Sequence, residues 1–161
     1  MEIVHDAIDL TFISRPAKST ARGLRPAYPE SADFRMPWWV GEDFDAGEGL
    51  QWFSVYEGSE EVARFLLEPR HLLSTRFEIA IPEGGFLEIV FLEVSNAKRR
   101  TGVGTRTVRQ LVALHDGTRL MVISQDESSD RFWNSVGWQR HEHPVFGKVR
   151  PIYLALASSE T

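Results

Sequence analysis

A nearly continuous apolar run predicts the central strand of this chain. Residues 86–94 read FLEIVFLEV, and only Glu88 and Glu93 interrupt the apolar positions. A basic turn with two glycines follows, and apolar residues then recur at helical spacing over residues 103–115. The pattern predicts a strand, a turn and an amphipathic helix, in that order.

Other apolar segments are expected to extend a sheet around that strand. Residues 50–56 and 61–67 are strand-like runs joined by a short polar connection with a glycine, which predicts an antiparallel hairpin. Residues 68–70 are expected to end its second strand. Residues 120–124 form an uninterrupted apolar strand, which we predict to lie parallel to residues 86–94 because a helix connects the two in a right-handed crossover.

The C-terminal region predicts one more helix and two more strands. A serine at position 128 or 129 is expected to cap a helix that runs to about residue 136, and Gly137 is expected to close it in a left-handed conformation. Residues 138–143 and 149–157 read as strands around a loop. Pro151 places the last strand at an edge or a bulge, because proline has no N–H for a ladder.

The pattern of the first half is more interrupted. Residues 3–12 predict a first strand, whereas four prolines break up residues 14–49 and favour short helices and loops. Trp38 and Trp39 are expected to anchor this segment onto the core. Residues 77–81 are expected to be extended.

Bulk properties place the chain among globular proteins of ordinary composition. Its 161 residues suit a single domain over 1–161, with 42% hydrophobic and 25% charged positions. No apolar run approaches the ~18 residues of a membrane span, and no leader pattern begins the chain, so we expect a cytoplasmic protein without membrane association. The absence of cysteine excludes disulfides, thiolate metal sites and a cysteine nucleophile.

Basic residues concentrate in the turn after the central strand. The net charge of -5 disfavours nucleic-acid binding. A strand that leads through a glycine turn into a helix presents unpaired N–H groups and the positive end of the helix dipole to an anion. We therefore predict a site for a small anionic, phosphate-bearing ligand here. Five of the 18 basic residues lie within twelve positions of this turn, namely Lys98, Arg99, Arg100, Arg106 and Arg109.

The order of elements and two motifs resemble the GNAT superfamily of acetyl-coenzyme A-dependent N-acetyltransferases. The phosphate motif of that family is Arg or Gln, two residues, Gly, one residue, and Gly or Ala; residues 99–104 read RRTGVG. Val94 stands where the family has a Val before this motif. Residues 130–138, DRFWNSVGW, are similar to the fourth-helix signature of the family. The resemblance covers about residues 50–157.

The resemblance implies an α/β (α+β) fold with a mixed, mostly antiparallel central sheet. A parallel central strand pair would splay around acetyl-coenzyme A, with helices on both faces. The backbone N–H of Val94 would bond the thioester carbonyl, and residues 14–49 would form a variable substrate-side segment. The implied coenzyme-binding residues are Val94, Arg99, Arg100, Thr101, Gly102, Val103, Gly104, Thr105 and Trp133.

A closer likeness concerns Glu88. Residues 86–91, followed without a gap by the turn, are similar to the catalytic strand of the histone acetyltransferase branch, in which the Glu of the strand is the general base. Glu88 matches that position, and its apolar neighbours would raise its pKa by desolvation. The residues alone favour Glu88 as the solvent-facing member of an alternating strand, and it is the gapless match that favours the general base. Glu93 is the rival carboxylate, expected on the opposite face unless a bulge intervenes.

Trp133 departs from the broad pattern of the family. Many members carry a Tyr there as general acid for the leaving thiolate, whereas an indole N–H is a donor but not a usable acid. Because a thiol of pKa ~8.5 leaves tolerably as an anion, the expected function is still transfer of acetyl from acetyl-coenzyme A to a primary amine. The alternative is a catalytically degenerate acyl-coenzyme A-binding sensor or interaction module.

The expected partners follow from the same reasoning. The acceptor is a small-molecule or peptide amine, without nucleic acid or metal, and a homodimer is a candidate assembly. His141 and His143 lack a third ligand for a metal site. A dinucleotide-binding fold is disfavoured because Thr107 stands where its third glycine is required.

Overall fold

The structure is a computed structural model that describes residues 10–21, 23–39, 49–71, 77–143 and 149–156. Its strands are β1 Thr11–Arg15, β2 Ala17–Thr20, β3 Gly23–Pro26, β4 Gln51–Glu57, β5 Glu60–Arg70, β6 Phe86–Val94, β7 Arg119–Ile123, β8 Gln139–His141 and β9 Ile152–Leu154. Its helices are α1 Val103–Leu114 and α2 Glu127–Ser135, and short 3-10 helices lie at Pro37–Trp39 and Asn96–Lys98.

Seven strands form one mixed sheet in the order β1-β4-β5-β6-β7-β9-β8, and β2 pairs with β3 separately. β6 and β7 are parallel, whereas β7 with β9 and β8 with β9 are antiparallel. The parallel ladder joins residues 86–88 to residues 119–121. Both strands continue past this ladder, as predicted for a pair that splays. The predicted mixed, mostly antiparallel sheet with a parallel strand pair is thereby confirmed.

Backbone contacts divide the chain into two compact units. The first comprises Met1–Phe65 and Phe91–Gln110, and the second comprises Leu66–Val90 and Leu111–Thr161. β5, β6 and α1 each contribute residues to both. A single domain over residues 1–161 remains a prediction.

Aromatic packing supports the first unit. The Phe65 ring stacks on Phe53 at a centroid distance of 4.9 Å and meets the edge of Phe12 at 5.1 Å. Nearby, the side-chain carbonyl of Gln110 in α1 accepts a hydrogen bond from the backbone N–H of Leu10 at 3.1 Å. Through these aromatic contacts, side chains of β1, β4 and β5 pack against one another.

The second unit has a core on the parallel strand pair and β9. Phe86, Met121, Ile152 and Leu154 are buried together, with Phe77, Ile79 and Ile123 packed against them. Residues 78–82 form no strand, so the expected extended element over 77–81 is wrong. Its apolar side chains cover the sheet from an irregular segment, which apolar alternation alone does not distinguish from a strand.

Two strand boundaries also differ from those expected. β5 continues through Pro69 to Arg70 instead of ending at residue 67. β9 lies between β7 and β8, so it is not an edge strand. Pro151 precedes β9, and its carbonyl accepts a hydrogen bond from the N–H of Ser124 at 3.0 Å. A proline just before a strand forfeits no ladder bond.

The N-cap of α2 lies two or three residues earlier than predicted. Asp126 is the N-cap, and its Oδ1 accepts a hydrogen bond from the N–H of Ser129 at 2.8 Å. Hydrogen bonds from Ser129, first from its backbone N–H, lower the pKa of Asp126. A carboxylate at this position also faces the positive end of the helix dipole. Gly137 follows the helix with a φ of 81°, as predicted.

The N-terminal region contains strands where loops were expected. β1 begins at Thr11, and residues 3–9 of the predicted first strand lie outside the described residues. β2 and β3 form a hairpin in which Ala17 pairs with Pro26. The sequence analysis missed this hairpin because it interpreted the prolines of residues 14–49 as signs of loops. Pro26 instead stands at the end of β3, where a proline is tolerated. The loop predicted at residues 144–148 is also outside the described residues.

Candidate active site

Glu88 lies at the last rung of the parallel ladder, opposite Met121. Its side chain is only 5% exposed. The guanidinium of Arg70, the last residue of β5, donates through Nε to Oε2 of Glu88 at 2.6 Å, and Nη2 contacts the same oxygen. Glu88 is therefore a buried, ion-paired carboxylate and not the solvent-facing member of an alternating strand.

Burial raises the pKa of Glu88, and the nearby charge of Glu68 raises it a little further. The charge and hydrogen bond of Arg70 act in the opposite direction without cancelling the effect of burial. The net pKa is thus above the usual value for a glutamate, the direction that suits a base working near neutral pH.

Glu93 is equally buried but has different partners. Its carboxylate accepts hydrogen bonds from the backbone N–H groups of Arg35 at 2.9 Å and Met36 at 3.3 Å. The indole Nε1 of Trp39 donates to it at 2.7 Å, and the guanidinium of Arg99 lies 3.5 Å away. With three donors and a cation around it, this carboxylate holds residues 35–39 in place.

Trp39 is the aromatic anchor that the sequence analysis expected in residues 14–49. It is 3% exposed and packs edge-on against Tyr28 at 5.1 Å and Phe91 at 6.3 Å. The side chain of Trp38 lies outside the described residues. Trp39 thus joins an irregular segment to β6, with its polar edge satisfied by Glu93.

A buried arginine also fixes this segment and was missed in the sequence analysis. Arg64 is fully buried, and its guanidinium lies over the rings of Tyr28 at 4.6 Å and Phe34 at 4.1 Å. It donates to the carbonyl of Pro29 at 2.7 Å and pairs with Glu61 at 2.8 Å. A charge inside the apolar run of β5 is the signal that could have identified it, since such residues are buried only with partners.

The turn after β6 contains two residues with left-handed backbone. A 3-10 helix begins at Asn96, whose N–H donates to the carbonyl of Asp33 at 2.9 Å. Arg100 has a φ of 63° and Gly102 a φ of 87°. The first is unfavourable for a residue with a side chain and is often found where a backbone is shaped for a ligand.

Backbone N–H groups collect at the start of α1. The first hydrogen bond into the helix runs from the N–H of Arg106 to the carbonyl of Gly102 at 3.0 Å. The N–H groups of Val103, Gly104 and Thr105 come before it and have no acceptor within the helix. A turn of positive φ that ends in free helical N–H groups fits a pyrophosphate.

The basic side chains of the turn are not equivalent. Lys98 lies 3.5 Å from Glu60, and Arg106 forms an ion pair with Glu57. The hydrogen bond from Arg106 lowers the pKa of Glu57. Arg99 is 44% exposed, and Arg100 is also exposed. The exposed pair is therefore better placed for an incoming anion than Arg106.

Trp133 is buried within α2 and packs among aromatic residues. It is 4% exposed, with Phe132 at 4.8 Å and Trp138 at 4.7 Å between ring centroids. The predicted aromatic motif of residues 130–138 thus forms a compact cluster at the end of the helix.

Asp130 is a third buried acid, and the sequence analysis did not single it out. Arg150 forms an ion pair with it, and the hydroxyl of Tyr153 lies 3.4 Å from Oδ1. Burial by itself would raise the pKa of Asp130, but hydrogen bonds from Ser124 and Arg150 outweigh burial and lower it. The network ties α2 to β9.

Neither histidine of the predicted strand 138–143 belongs to a metal cluster in the described residues. Burial, and then the charge of Arg119, lower the pKa of His141. The ring of His143 meets Phe77 edge-on at 4.9 Å. Across the same residues, neither helix is long and apolar enough to cross a bilayer.

Comparison with known proteins identifies the fold. No family model and no curated protein matches the sequence. Among solved structures, an acetyltransferase from Thermus thermophilus has 16% identity over 66% of this chain, with a TM-score of 0.51. This chain spans 63% of the length of that structure.

Two further structures are similar to the same extent. The KacTA–DNA complex has 14% identity over 70% of this chain and 71% of that chain, with a TM-score of 0.53. A mutant AtaT toxin bound to the C-terminus of the antitoxin AtaR has 15% identity over 68% of both chains, with a TM-score of 0.50. The likeness agrees with the expected architecture, and the chain has the fold of the GNAT acetyltransferases.

Proposed function

We propose that this protein is an N-acetyltransferase that moves the acetyl group of acetyl-coenzyme A to a primary amine, with Glu88 as general base. The observation that carries the proposal is a buried carboxylate at the end of the parallel ladder, with its pKa raised by burial. The GNAT fold and the strand–turn–helix cradle support the choice of donor.

The turn residues Arg99 to Thr105 would bind the coenzyme. N–H groups at the start of α1 face the pyrophosphate in this proposal, and the exposed guanidinium groups of Arg99 and Arg100 add positive charge. Val94 ends β6 before the turn, and its backbone N–H would bond the thioester carbonyl as negative charge develops on oxygen. Trp133 would contribute an apolar wall.

Acetyl-coenzyme A supplies an activated thioester with a thiolate leaving group. Glu88 takes a proton from the ammonium form of the acceptor, directly or through water, and the free amine attacks the carbonyl carbon. The C–S bond breaks as the C–N bond is completed. The nitrogen then loses its second proton, and the thiolate is protonated by solvent, so the products are an amide, coenzyme A and one released proton.

Calorimetric titration with acetyl-coenzyme A tests the donor. We expect saturable binding, and no binding at high micromolar concentration would contradict the proposal. Thiol release is then measured with spermidine, an aminoglycoside, a lysine-containing peptide and a peptide with a free N-terminus. A cationic acceptor is favoured by the net charge of -5.

Glu88→Gln tests the base. We expect the rate to fall by about 10²-fold or more and the acidic limb of the pH profile to disappear, with coenzyme binding nearly unchanged. Unchanged turnover would move the base to Glu93 or to water.

A catalytically degenerate acyl-coenzyme A-binding module is the second candidate. It is favoured by Trp133, which is buried and has no acidic hydroxyl at the position of the family's tyrosine. This candidate predicts coenzyme binding without thiol release for every amine of the panel.

A further inference from the structure

Arg70, the last residue of β5, forms an ion pair with Glu88. It is separated from Glu88 by 18 positions, yet its Nε and Nη2 both contact Oε2 of that carboxylate. Both contacts fall on Oε2. The Arg70 side chain is 35% exposed, whereas the Glu88 side chain is 5% exposed. The arginine therefore contacts solvent, and the carboxylate that it pairs with is buried.

Gly85 allows the end of β5 to lie against the start of β6. A Cβ on Gly85 would come within 2.6 Å of the carbonyl oxygen of Arg70 and 2.7 Å of Nδ1 of His71. Gly85 also has a φ of +80°. The backbone of Arg70 therefore has this place because residue 85 lacks a side chain.

This geometry has two physical consequences for Glu88. An isolated buried carboxylate is more easily protonated, and a nearby guanidinium favours its charged form. Two contacts to one oxygen also fix the plane of the carboxyl group, which leaves the other oxygen for a proton acceptor role.

We propose that Arg70 is a positioning residue that holds Glu88 ionised and oriented for proton abstraction, with Gly85 as the backbone gap that places it. The inference rests on the proposed function, because it assigns Arg70 a role through Glu88. Nothing in the sequence motifs indicates this role, since residue 70 lies outside both of them.

The sign of the expected pH effect follows from the charged groups around Glu88. Arg70 lowers the pKa of Glu88, whereas burial and Glu68 raise it. Removal of Arg70 leaves only the raising effects, so Glu88 should ionise at higher pH. The acidic limb of kcat/KM should move in the same direction, because the base acts only when it is ionised.

Three variants provide the test. Arg70→Met removes the charge, and Arg70→Lys keeps the charge without the planar pair of donors. Arg150→Met is the matched control, because it removes a guanidinium of similar exposure, 40%, from another buried carboxylate, Asp130. Melting temperatures show whether each variant is folded, and Arg70→Lys keeps the test possible if Arg70→Met is not.

The first readout is the titration of Glu88 itself, followed by NMR of carboxyl-labelled glutamate and assigned by the signal missing in Glu88→Gln. We expect the Glu88 midpoint to rise by about one pH unit or more in Arg70→Met. Arg70→Lys should give a smaller rise and Arg150→Met none. An unmoved midpoint in a folded Arg70→Met would overturn the proposal.

The second readout is the pH profile of kcat/KM with the most active amine of the panel. At pH values on the acidic limb, kcat/KM of Arg70→Met should be lower than that of the wild type by about ten-fold or more, and Arg70→Lys should restore part of the loss. Suppose that the wild type is active and that Glu88→Gln abolishes the acidic limb. An unchanged acidic limb in Arg70→Met would then reject the role of Arg70 and leave the proposed function intact. If the wild type binds no acetyl-coenzyme A, the proposed function fails, and the NMR titration still decides whether Arg70 controls Glu88.

Discussion

The indole of Trp39 donates a hydrogen bond to Oε1 of Glu93 at 2.7 Å, across 54 positions of sequence. The same carboxylate accepts from the backbone N–H groups of Arg35 and Met36. Glu93 therefore satisfies a loop backbone and a buried aromatic residue at once. Because these donors engage the Glu93 carboxylate, Glu93 has a structural role, and Glu88 is the better candidate for the general base although both residues are buried.

Glu93→Gln should destabilise the protein by about 2 kcal/mol. An amide has one acceptor oxygen, so at least one of the three donors that face residue 93 loses a charge-assisted bond. Denaturant unfolding measures the loss, with Glu83→Gln in an exposed turn as the control. A loss below about 0.5 kcal/mol would show that Glu93 does not anchor residues 35–39.

Gly102→Ala should weaken binding of acetyl-coenzyme A by about ten-fold. The added Cβ would meet nothing within 4 Å, so the effect comes from the φ of +87°, which a residue with a side chain adopts at a cost of about 1 kcal/mol. Gly58→Ala is the matched control, because Gly58 has a φ of +62° and equally open surroundings. Both variants should lose similar stability, and calorimetry should show weaker binding in Gly102→Ala alone. Equal affinities would argue against the turn as the coenzyme cradle.

Gly85→Ala should be more damaging than Gly84→Ala, although the two glycines are neighbours with similar φ angles. A Cβ at Gly84 would meet nothing within 4 Å, whereas a Cβ at Gly85 would clash with the backbone of Arg70. We expect an additional loss of about 1–3 kcal/mol in Gly85→Ala, measured by denaturant unfolding. The Glu88 midpoint should also rise in this variant, and a midpoint equal to that of Gly84→Ala would mean that Arg70 can keep its contact.

Asp130→Asn should lose about 2 kcal/mol of stability at neutral pH and much less in acid. Because hydrogen bonds from Ser124 and Arg150 lower the pKa of folded Asp130, its stabilisation is present above the ordinary value of 3.8 and is lost as the pH falls below it. Unfolding curves of the variant and wild type at pH 7 and at pH 3 give the difference directly. A constant difference across this range would show that the charge of Asp130 is not what stabilises α2 on β9.

Much of the fold followed from local sequence patterns. The strand-like runs over residues 50–56 and 61–67, the apolar run of β6, and the helical spacing of α1 each predicted an element that the structure contains. The parallel pairing of β6 and β7 was predictable because one helix connects them. By contrast, Pro69 suggested a strand end and Pro151 an edge strand, and the structure shows neither. A proline's effect depends on which backbone groups its neighbours need.

The sequence by itself determined the strand–turn–helix segment from Phe86 to Leu114, because its periodicity, its glycines and its basic residues act over neighbouring positions. Only the tertiary structure decided which partners surround Glu88 and Glu93. The carboxylates lie five residues apart on one strand and are equally buried, yet one meets Arg70 and the other meets the loop around Trp39. A carboxylate takes its proton affinity from whichever charges and donors surround it after folding, and those come from distant positions that no local pattern specifies.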